Sequence, residues 1–190
     1  MCSNCGACRT ICPKDAIKFS MSSVGRMFAI VDNNKCIECG KCQKVCPSID
    51  YHNISNSFED PFIGDMLDVY IGRSLNTGIF NNAQSGGVTT QLLCYLFDKE
   101  LIDCALVVRM DMSSPPKVSP VVVMNKSELF YTQKSCYTPV DLLSALKETK
   151  GYKSVAVVGI PCHISGITHL QRFSKGFNNF LNFCIKVFFC

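Results

Sequence analysis

Eight of the fourteen cysteines lie within the first 46 residues and form two copies of one pattern, C-x2-C-x2-C-x3-C-P. Two-residue spacers allow three successive thiolates to point at one compact core from a tight loop, which is what a cubane [4Fe-4S] cluster requires. The fourth cysteine begins the next short helix and is thereby turned toward the other cluster. The first copy consists of Cys2, Cys5, Cys8 and Cys12, and the second of Cys36, Cys39, Cys42 and Cys46.

The repeat therefore predicts two clusters with crossed ligation. Gly6 and Gly40 follow the second cysteine of each copy, where the chain must pass close to the inorganic core. Because only Met1 precedes Cys2, we expect the first cluster to be more exposed than the second. The predicted ligands are Cys2, Cys5, Cys8 and Cys46 for the first cluster, and Cys36, Cys39, Cys42 and Cys12 for the second.

Zinc is the alternative metal for C-x2-C pairs, but zinc sites usually separate their two pairs by a longer spacer. The duplicated run is instead typical of bacterial ferredoxins. Between the copies, residues 15–18 and 27–31 have the alternation of short strands, and residues 32–34 form the expected turn. Residues 1–50 are thus predicted to be an α+β ferredoxin-like domain with two clusters.

Composition excludes several classes of protein. With 47% hydrophobic and 18% charged residues the chain can bury a core, and its net charge of +4 comes without a basic block that would indicate nucleic-acid binding. No apolar run reaches the roughly 18 residues of a membrane span, and the N-terminus lacks a secretory signal. We therefore expect a cytoplasmic protein without disulfides.

The sequence changes character after the cysteine-rich part. Residues 51–68 are polar and rich in Asn and Ser, which predicts a linker. Residues 69–190 then alternate apolar runs with helical patterns, as an α/β domain with a largely parallel sheet does. We expect strands near Val69, Cys104 and Ser154, and helices at 86–98, 140–150 and 163–173. In the first helix, Val88, Leu92, Leu96 and Phe97 are predicted to share the core face, with Leu93 beside them.

Two loops of this domain are candidate cofactor contacts. Ser85-Gly86-Gly87 opens a helix, where free backbone N–H groups could meet a phosphate or a flavin edge, although a plain N-cap and turn would explain the same residues. The second loop, Gly159 to Cys162 with Pro161, lies at the carboxyl end of a strand, where α/β sheets bind ligands. Cys162 and His163 are adjacent, but neighbours on a helix do not face each other, which argues against a nucleophile–base pair.

Joined together, these features resemble the coenzyme F420 hydrogenase/dehydrogenase beta-subunit family of flavin-containing iron–sulfur oxidoreductases. The resemblance covers nearly the whole chain. It implies an FAD-binding α/β domain that passes electrons between its clusters and a second redox partner, in some members the deazaflavin coenzyme F420. A redox partner protein or subunit is expected as well. The matching segments are CGACRTICPKDAI, KCIECGKCQKVCPSID, QSGGVTTQLLCYLFDKELIDCALVV, SCYTPVDLLSALKE and VAVVGIPCHISGI. The flavin contacts that it implies are Ser85, Gly86, Gly87, Tyr137, Gly159, Pro161 and Cys162.

The chain departs from this family in three places. Cys136 stands where the family usually has a Lys, so a cation that could meet a flavin or a phosphate is missing. Ile160 replaces a customary Thr. The ending IKVFFC resembles a motif that lies mid-domain in relatives, so the α/β domain is expected to be incomplete, with an exposed strand at its edge.

Three functional hypotheses follow. The first is an iron–sulfur flavoprotein oxidoreductase, or a fragment of one, that connects single-electron and paired-electron chemistry. The second is a non-catalytic electron carrier or adaptor with a degraded flavin domain. A structural zinc module remains the third and weakest alternative.

Overall fold

A computed structural model describes residues 2–49, 67–177 and 181–186. The predicted linker lies outside the described residues except for Leu67 and Asp68, and Cys190 lies outside them as well. None of the helices in the described ranges is long and apolar enough to cross a membrane.

The cysteine-rich part contains two short helices and a hairpin. In the hairpin, β1 (Ile17–Met21) and β2 (Met27–Val31) pair antiparallel, with Ile17 opposite Val31 and Met21 opposite Met27. The predicted turn before the second cysteine run is confirmed, because the Cys36 N–H donates to the Asp32 carbonyl at 2.9 Å. The four elements are α1 (Ala7–Ile11), β1 (Ile17–Met21), β2 (Met27–Val31) and α2 (Lys41–Lys44).

The second part is an α/β unit around a four-stranded sheet. Its strands are β3 (Cys104–Asp111), β4 (Lys117–Val123), β5 (Val155–Gly159) and β6 (Leu181–Lys186). They lie in the order β4-β3-β5-β6, with β5 parallel to both β3 and β6 and β4 antiparallel to β3 at one edge. The α-helices are α3 (Thr77–Asn82), α4 (Val88–Asp98), α5 (Lys126–Leu129) and α6 (Pro161–Phe173). Three 3₁₀ helices complete this part, at Phe130–Thr132, Leu142–Lys147 and Lys175–Phe177.

The predicted strands near Cys104 and Ser154 are confirmed, whereas the one near Val69 is not. Val69 to Ile71 form no strand and are largely exposed, because no described strand lies beside them to complete the hydrogen bonding. The predicted helix over 140–150 is the 3₁₀ helix Leu142–Lys147. Its leucines are buried all around, so packing on several sides fixes it rather than one amphipathic face.

Both faces of the sheet are covered, and successive residues of β3 and β5 belong to different cores. Leu106 and Val157 pack on the side of α6 and the 3₁₀ helix Leu142–Lys147, while Val107 and Ala156 pack on the side of α4. This two-sided burial explains why both strands are continuous apolar runs rather than alternating ones.

The predicted core face of α4 is partly wrong. Leu93 and Leu96 are buried, but Val88 and Leu92 are 42% and 45% exposed. Leu93 and Cys94 point toward the sheet, so the row that contains Val88 and Leu92 is turned away from it. The repeat of apolar residues identified the helix correctly but did not decide which of two apolar rows is buried.

The cysteine-rich part packs directly on the α/β part through the first cysteine loop. Cys5, Ala7 and Val45 belong to the same buried core as Leu143. The Leu143 N–H donates to the Cys5 carbonyl at 3.0 Å, and the Thr10 hydroxyl donates to the Leu143 carbonyl. Two ion pairs at the rim of this contact join Arg9 to Asp141 at 2.8 Å and Lys147 to Asp15.

Gly6 lies at the centre of this contact and permits its close approach. Its φ is +91°, in the left-handed region, and a Cβ there would lie 2.7 Å from the Ser144 nitrogen. Only glycine satisfies both the backbone conformation and the space.

We therefore expect Gly6→Ala to destabilise the chain more than Gly25→Ala. Gly25 also has positive φ, at +74°, but open space around it, so its substitution costs only the backbone term of about 1–2 kcal/mol. Gly6→Ala adds overpacking against backbone atoms, typically about 1–3 kcal/mol. Urea unfolding of the cluster-loaded proteins, followed by circular dichroism without oxygen, measures both; equal losses would contradict the packing role of Gly6.

Candidate iron–sulfur and cofactor sites

The structure brings four of the eight motif cysteines together at the contact between the two parts. Burial raises the pKa of the Cys5 thiol to about 11, and the neighbouring Cys46 contributes in the same direction. Burial also raises the pKa of Cys8 to about 12, assisted by the nearby Cys5, Cys2 and Cys46. The fourth cysteine of the second copy thus lies beside the first three of the first copy, as crossed ligation requires. We call Cys2, Cys5, Cys8 and Cys46 the inner group.

The raised pKa values also bear on cluster loading. Thiolates, not thiols, are the ligands of iron, so the inner group must release protons when a cluster assembles. At neutral pH the free thiols of Cys5 and Cys8 are protonated, and cluster binding competes with those protons.

The remaining motif cysteines, Cys12, Cys36, Cys39 and Cys42, form the outer group. Cys39 is exposed and the other three are half-buried. The Ala16 N–H donates to the sulfur of Cys12 at 3.3 Å, a contact of the kind that tunes cluster potentials. The loop that carries this group is open: a Cβ at Gly40, the counterpart of Gly6 in the repeat, would meet no atom within 4 Å.

The expected exposure of the first cluster agrees with Cys2, which is exposed, but not with Cys5, which is only 6% exposed. In the outer group Cys39 is exposed and no cysteine is buried. The α/β part covers the inner group around Cys5, and this contact could not be inferred from the cysteine run.

The inner group supplies the number of ligands that one cubane requires. A cubane has an iron atom at each of four corners, and each iron takes one thiolate. The inner group contains four cysteines, one for each iron.

The glycine pair before α4 has a packing explanation. A Cβ at Gly86 would lie 2.7 Å from the Gly72 carbonyl oxygen, and one at Gly87 would lie 2.9 Å from Cγ2 of Ile79. Gly87 also has a φ of +71° as the N-cap of α4. Both positions therefore require glycine for the fold itself, and a Gly87→Val variant would not be a clean test of cofactor binding.

Gln84, the residue directly before Ser85, joins this loop to Tyr137. Its side-chain oxygen accepts from the Ser135 N–H at 2.9 Å, and its amide nitrogen donates to the Tyr137 hydroxyl at 3.2 Å. Ser85 is exposed beside it. The position of Gln84 directly before Ser-Gly-Gly was the available signal, but its partner, about fifty residues away, was not readable from the sequence.

Gly159 and Pro161 shape the turn from β5 into α6 around a buried histidine. A Cβ at Gly159 would lie 2.7 Å from Cβ of His163, and Pro161 is the first residue of α6. The Ile160 N–H donates to Nδ1 of His163 at 3.3 Å, and Nε2 lies 3.2 Å from the Val140 carbonyl. Nε2 therefore carries the hydrogen of a neutral ring, which ties the turn to the 137–141 loop. Both ring nitrogens are thus engaged with the backbone.

Cys162 points away from these backbone contacts and toward the inner group. Its thiol lies 3.7 Å from the Ser3 carbonyl, and it interacts electrostatically with both Cys2 and Cys5. The predicted flavin contact at this position is thus placed beside the cysteine loop.

A cavity of about 530 Å³ opens between the β1–β2 hairpin, the β3–β4 hairpin and the 137–141 loop. Its position at the carboxyl end of β3 is where α/β sheets bind ligands, and its volume is in the range of small-molecule sites. Of the seven predicted flavin contacts, Tyr137 alone lines it; the other six do not. Its walls include Met21, Met27, Met110, Lys117, Tyr137 and Asp141.

Crossed ligation predicts different iron contents for two double variants. Cys5→Ser with Cys46→Ser removes two ligands of the same predicted cluster, so about four iron and four sulfide per chain should remain. Cys39→Ser with Cys46→Ser removes one ligand from each cluster and should leave much less. Iron and sulfide analysis after anaerobic reconstitution distinguishes them, and the reverse order would show that each copy binds its own cluster.

Burial lowers the pKa of His163, which makes stability depend on pH. Below about pH 6.5 the unfolded chain binds a proton that the folded chain resists, so the wild type loses up to about 1.4 kcal/mol per pH unit. His163→Gln removes this loss while keeping a donor for the Val140 carbonyl. Unfolding free energies at pH 7.5 and 5.5 test this; equal losses in both proteins would show that His163 titrates alike in both states.

Models of known protein families match both the cysteine-rich part and the α/β part. The family model described as "Coenzyme F420 hydrogenase/dehydrogenase, beta subunit N-term" matches residues 69–147. Two models of "4Fe-4S dicluster domain" match residues 1–49 and 28–88. The two dicluster matches confirm the prediction of iron–sulfur clusters in the cysteine-rich part.

Relatives with described activities are similar over most of the chain. The coenzyme F420-dependent sulfite reductase of Methanocaldococcus jannaschii is 31% identical over 182 residues, which are 91% of this chain and 26% of that protein. One of the subunits of the F(420)H(2) dehydrogenase of Methanosarcina mazei is 27% identical over 85% of this chain and 46% of that protein. The chain thus spans about a quarter to a half of the length of these relatives.

One solved structure has a similar fold. A chain of the F420-reducing [NiFe] hydrogenase complex from Methanosarcina barkeri superimposes with a TM-score of 0.58 at 24% identity. The match covers 66% of this chain and 47% of that chain.

Proposed function

Because the chain belongs to the coenzyme F420 hydrogenase/dehydrogenase beta-subunit family, we propose that it is an iron–sulfur electron-transfer protein of an F420-dependent oxidoreductase. The observation that carries this proposal is the packing of the first cysteine loop on the α/β part, through Cys5, which shares a buried core and a backbone hydrogen bond with Leu143. Electron transfer requires cofactors held at fixed short distances, and a shared core provides this rigidity better than a flexible linker would.

The chain's own residues would bind two clusters and hold them in place. Cys2, Cys5, Cys8 and Cys46 would ligate the inner one, and Cys12, Cys36, Cys39 and Cys42 the outer one. The Leu143 N–H fixes the Cys5 backbone, and the core around Cys5 excludes water from one side of the inner group. When bound, a [4Fe-4S] cluster supplies one-electron transfer, and a flavin exchanges electrons singly or in pairs.

The same proposal includes a flavin at the 530 Å³ cavity. Three methionines offer adaptable, polarisable contacts for an apolar ring, while Lys117 and Tyr137 can donate hydrogen bonds to polar groups. Coenzyme F420, which the names of the relatives mention, is the proposed exchange partner of that flavin. A partner subunit is proposed on the same basis, since one relative is itself a subunit and another belongs to a complex.

A non-catalytic electron carrier is the second candidate, and specific observations favour it. A Cβ at Gly86 or Gly87 would lie within 3 Å of protein atoms, so these glycines are required for packing. Six of the seven predicted flavin contacts do not line the cavity. Iron, sulfide and flavin quantified per chain after anaerobic reconstitution separate the candidates. Eight iron, eight sulfide and one FAD per chain would support the flavoprotein. Intact clusters without FAD binding would support the carrier, and zinc without sulfide would exclude both.

Lys117 provides a sharper test of the cavity. If it meets the phosphates of FAD, Lys117→Met removes a charge-assisted hydrogen bond of typically about 1.5–3 kcal/mol, or roughly ten- to a hundredfold in affinity. Riboflavin, which lacks phosphates, should bind both proteins equally, and Lys150→Met serves as the matched control on another surface. Fluorescence titration of the cluster-loaded chains measures these constants; an unchanged affinity for FAD would remove Lys117 from the site.

A further inference from the structure

The two halves of the iron–sulfur repeat face different surroundings. The α/β part covers the inner group around Cys5, although Cys2 is exposed, whereas the loop of the outer group is open on the side of Gly40. Ile37 in this loop is 56% exposed, and Cys39 is exposed two residues later. An apolar side chain thus lies at the surface directly beside the predicted ligands of the outer cluster.

Positive charge is concentrated around the same group. Residues 1–49 contain seven Lys and Arg against three Asp and Glu, a net charge of +4. Each cysteine of the outer group has a lysine within two residues along the chain, and three of these four lysines are exposed while Lys41 is half-buried. They are Lys14 after Cys12, Lys35 before Cys36, Lys41 between Cys39 and Cys42, and Lys44 after Cys42.

Neighbouring acids neutralise little of this charge. Among the described residues, the three ion pairs involve none of these four lysines. Lys147 is the chief cause of the lowered pKa of Asp15, and Lys35 contributes little to it. Glu38 is the single acid within the open loop. Lys44 also lies 5.6 Å from the centre of the Phe173 ring, at the border with α6. The cation of the inner group, Arg9, is by contrast paired with Asp141.

We propose that the surface of Lys35, Ile37, Cys39 and Lys41, here called the outer face, docks an electron-carrier protein with an acidic surface. The inference rests on the proposed electron-transfer function. An exposed apolar centre with cations around it is complementary to an acidic patch with an apolar middle, and such charge complementarity orients partners and speeds their encounter. The covered inner group then serves the α/β part, and the outer face serves the partner.

The transfer at the outer face balances simply. One electron leaves the reduced chain and enters the docked acceptor, so the chain is oxidised by one electron and the acceptor is reduced by one. No bond forms or breaks and no proton moves.

Charge reversal tests the proposal with two haem proteins of opposite sign. The full chain, loaded with clusters and reduced by dithionite that is then removed, is mixed in an anaerobic stopped flow with cytochrome b5, which is acidic, or with cytochrome c, which is basic. We expect the rate with cytochrome b5 to fall as salt is added. The variant Lys35→Glu/Lys41→Glu should lower it about tenfold at low salt and abolish this salt dependence.

A matched control carries the same change in net charge elsewhere. Lys150→Glu/Lys153→Glu alters two exposed lysines of the α/β part and should change the rate with cytochrome b5 by less than about twofold. Reduction of benzoquinone, a small uncharged acceptor, should be equal in all three proteins, which shows that their clusters are intact. The rate with cytochrome c should not fall in the Lys35→Glu/Lys41→Glu variant.

The outcomes separate this proposal from the function on which it rests. A chain that holds no iron and sulfide overturns both. A chain that holds clusters and reduces benzoquinone, but whose rate with cytochrome b5 is unaffected by Lys35→Glu/Lys41→Glu, overturns the docking proposal alone. Equal losses in the variant and in the Lys150/Lys153 control would show that net charge, not the outer face, governs the encounter.

Discussion

The close contact between the first cysteine loop and the 3₁₀ helix Leu142–Lys147 is the interaction on which the arrangement of the protein depends. The Leu143 N–H donates to the Cys5 carbonyl and the Thr10 hydroxyl donates to the Leu143 carbonyl, while the absence of a side chain at Gly6 permits the approach. Through this contact the core of the α/β part extends around a predicted metal ligand. The cysteine loop is therefore a structural component of the sheet's packing as well as a binding site.

Local periodicity predicted the secondary structure well and the packing partners poorly. The strands at Cys104 and Val155 and the helix at Val88 are where the sequence placed them, because two-sided burial and helical repeats leave a direct trace in the order of residues. The exposure of Val88 and Leu92 could not be predicted, since α4 has two apolar rows and only the position of the sheet decides between them. Val69 illustrates the converse, because a strand pattern becomes a strand only beside a partner.

The same contrast between local pattern and packing partners applies to the candidate site. Cysteine spacing predicts ligands because a cluster imposes its geometry locally, and the grouping of Cys46 with Cys5 and Cys8 agrees with that assignment. Glycine positions do not predict a cofactor site with comparable specificity. Gly86, Gly87 and Gly159 were interpreted as places for a cofactor, yet each accommodates a protein atom at less than 3 Å from an added Cβ. The contacts that join the loops, made by Gln84 and His163, depend on residues distant in sequence and were invisible beforehand.

The order of synthesis determines when the contact at Cys5 can form. Thr10 and its partner Leu143 are separated by 133 positions, so the ribosome makes the cysteine loop long before the segment that covers it. At roughly 5–20 residues per second, this interval is on the order of ten seconds. During that time Cys5 is not yet covered by the segment that buries it in the folded protein. The contact of the Lys147 ammonium with the Cys12 carbonyl spans 135 positions and is likewise made late. Both halves of the repeat therefore receive contacts from residues that are synthesised more than a hundred positions later.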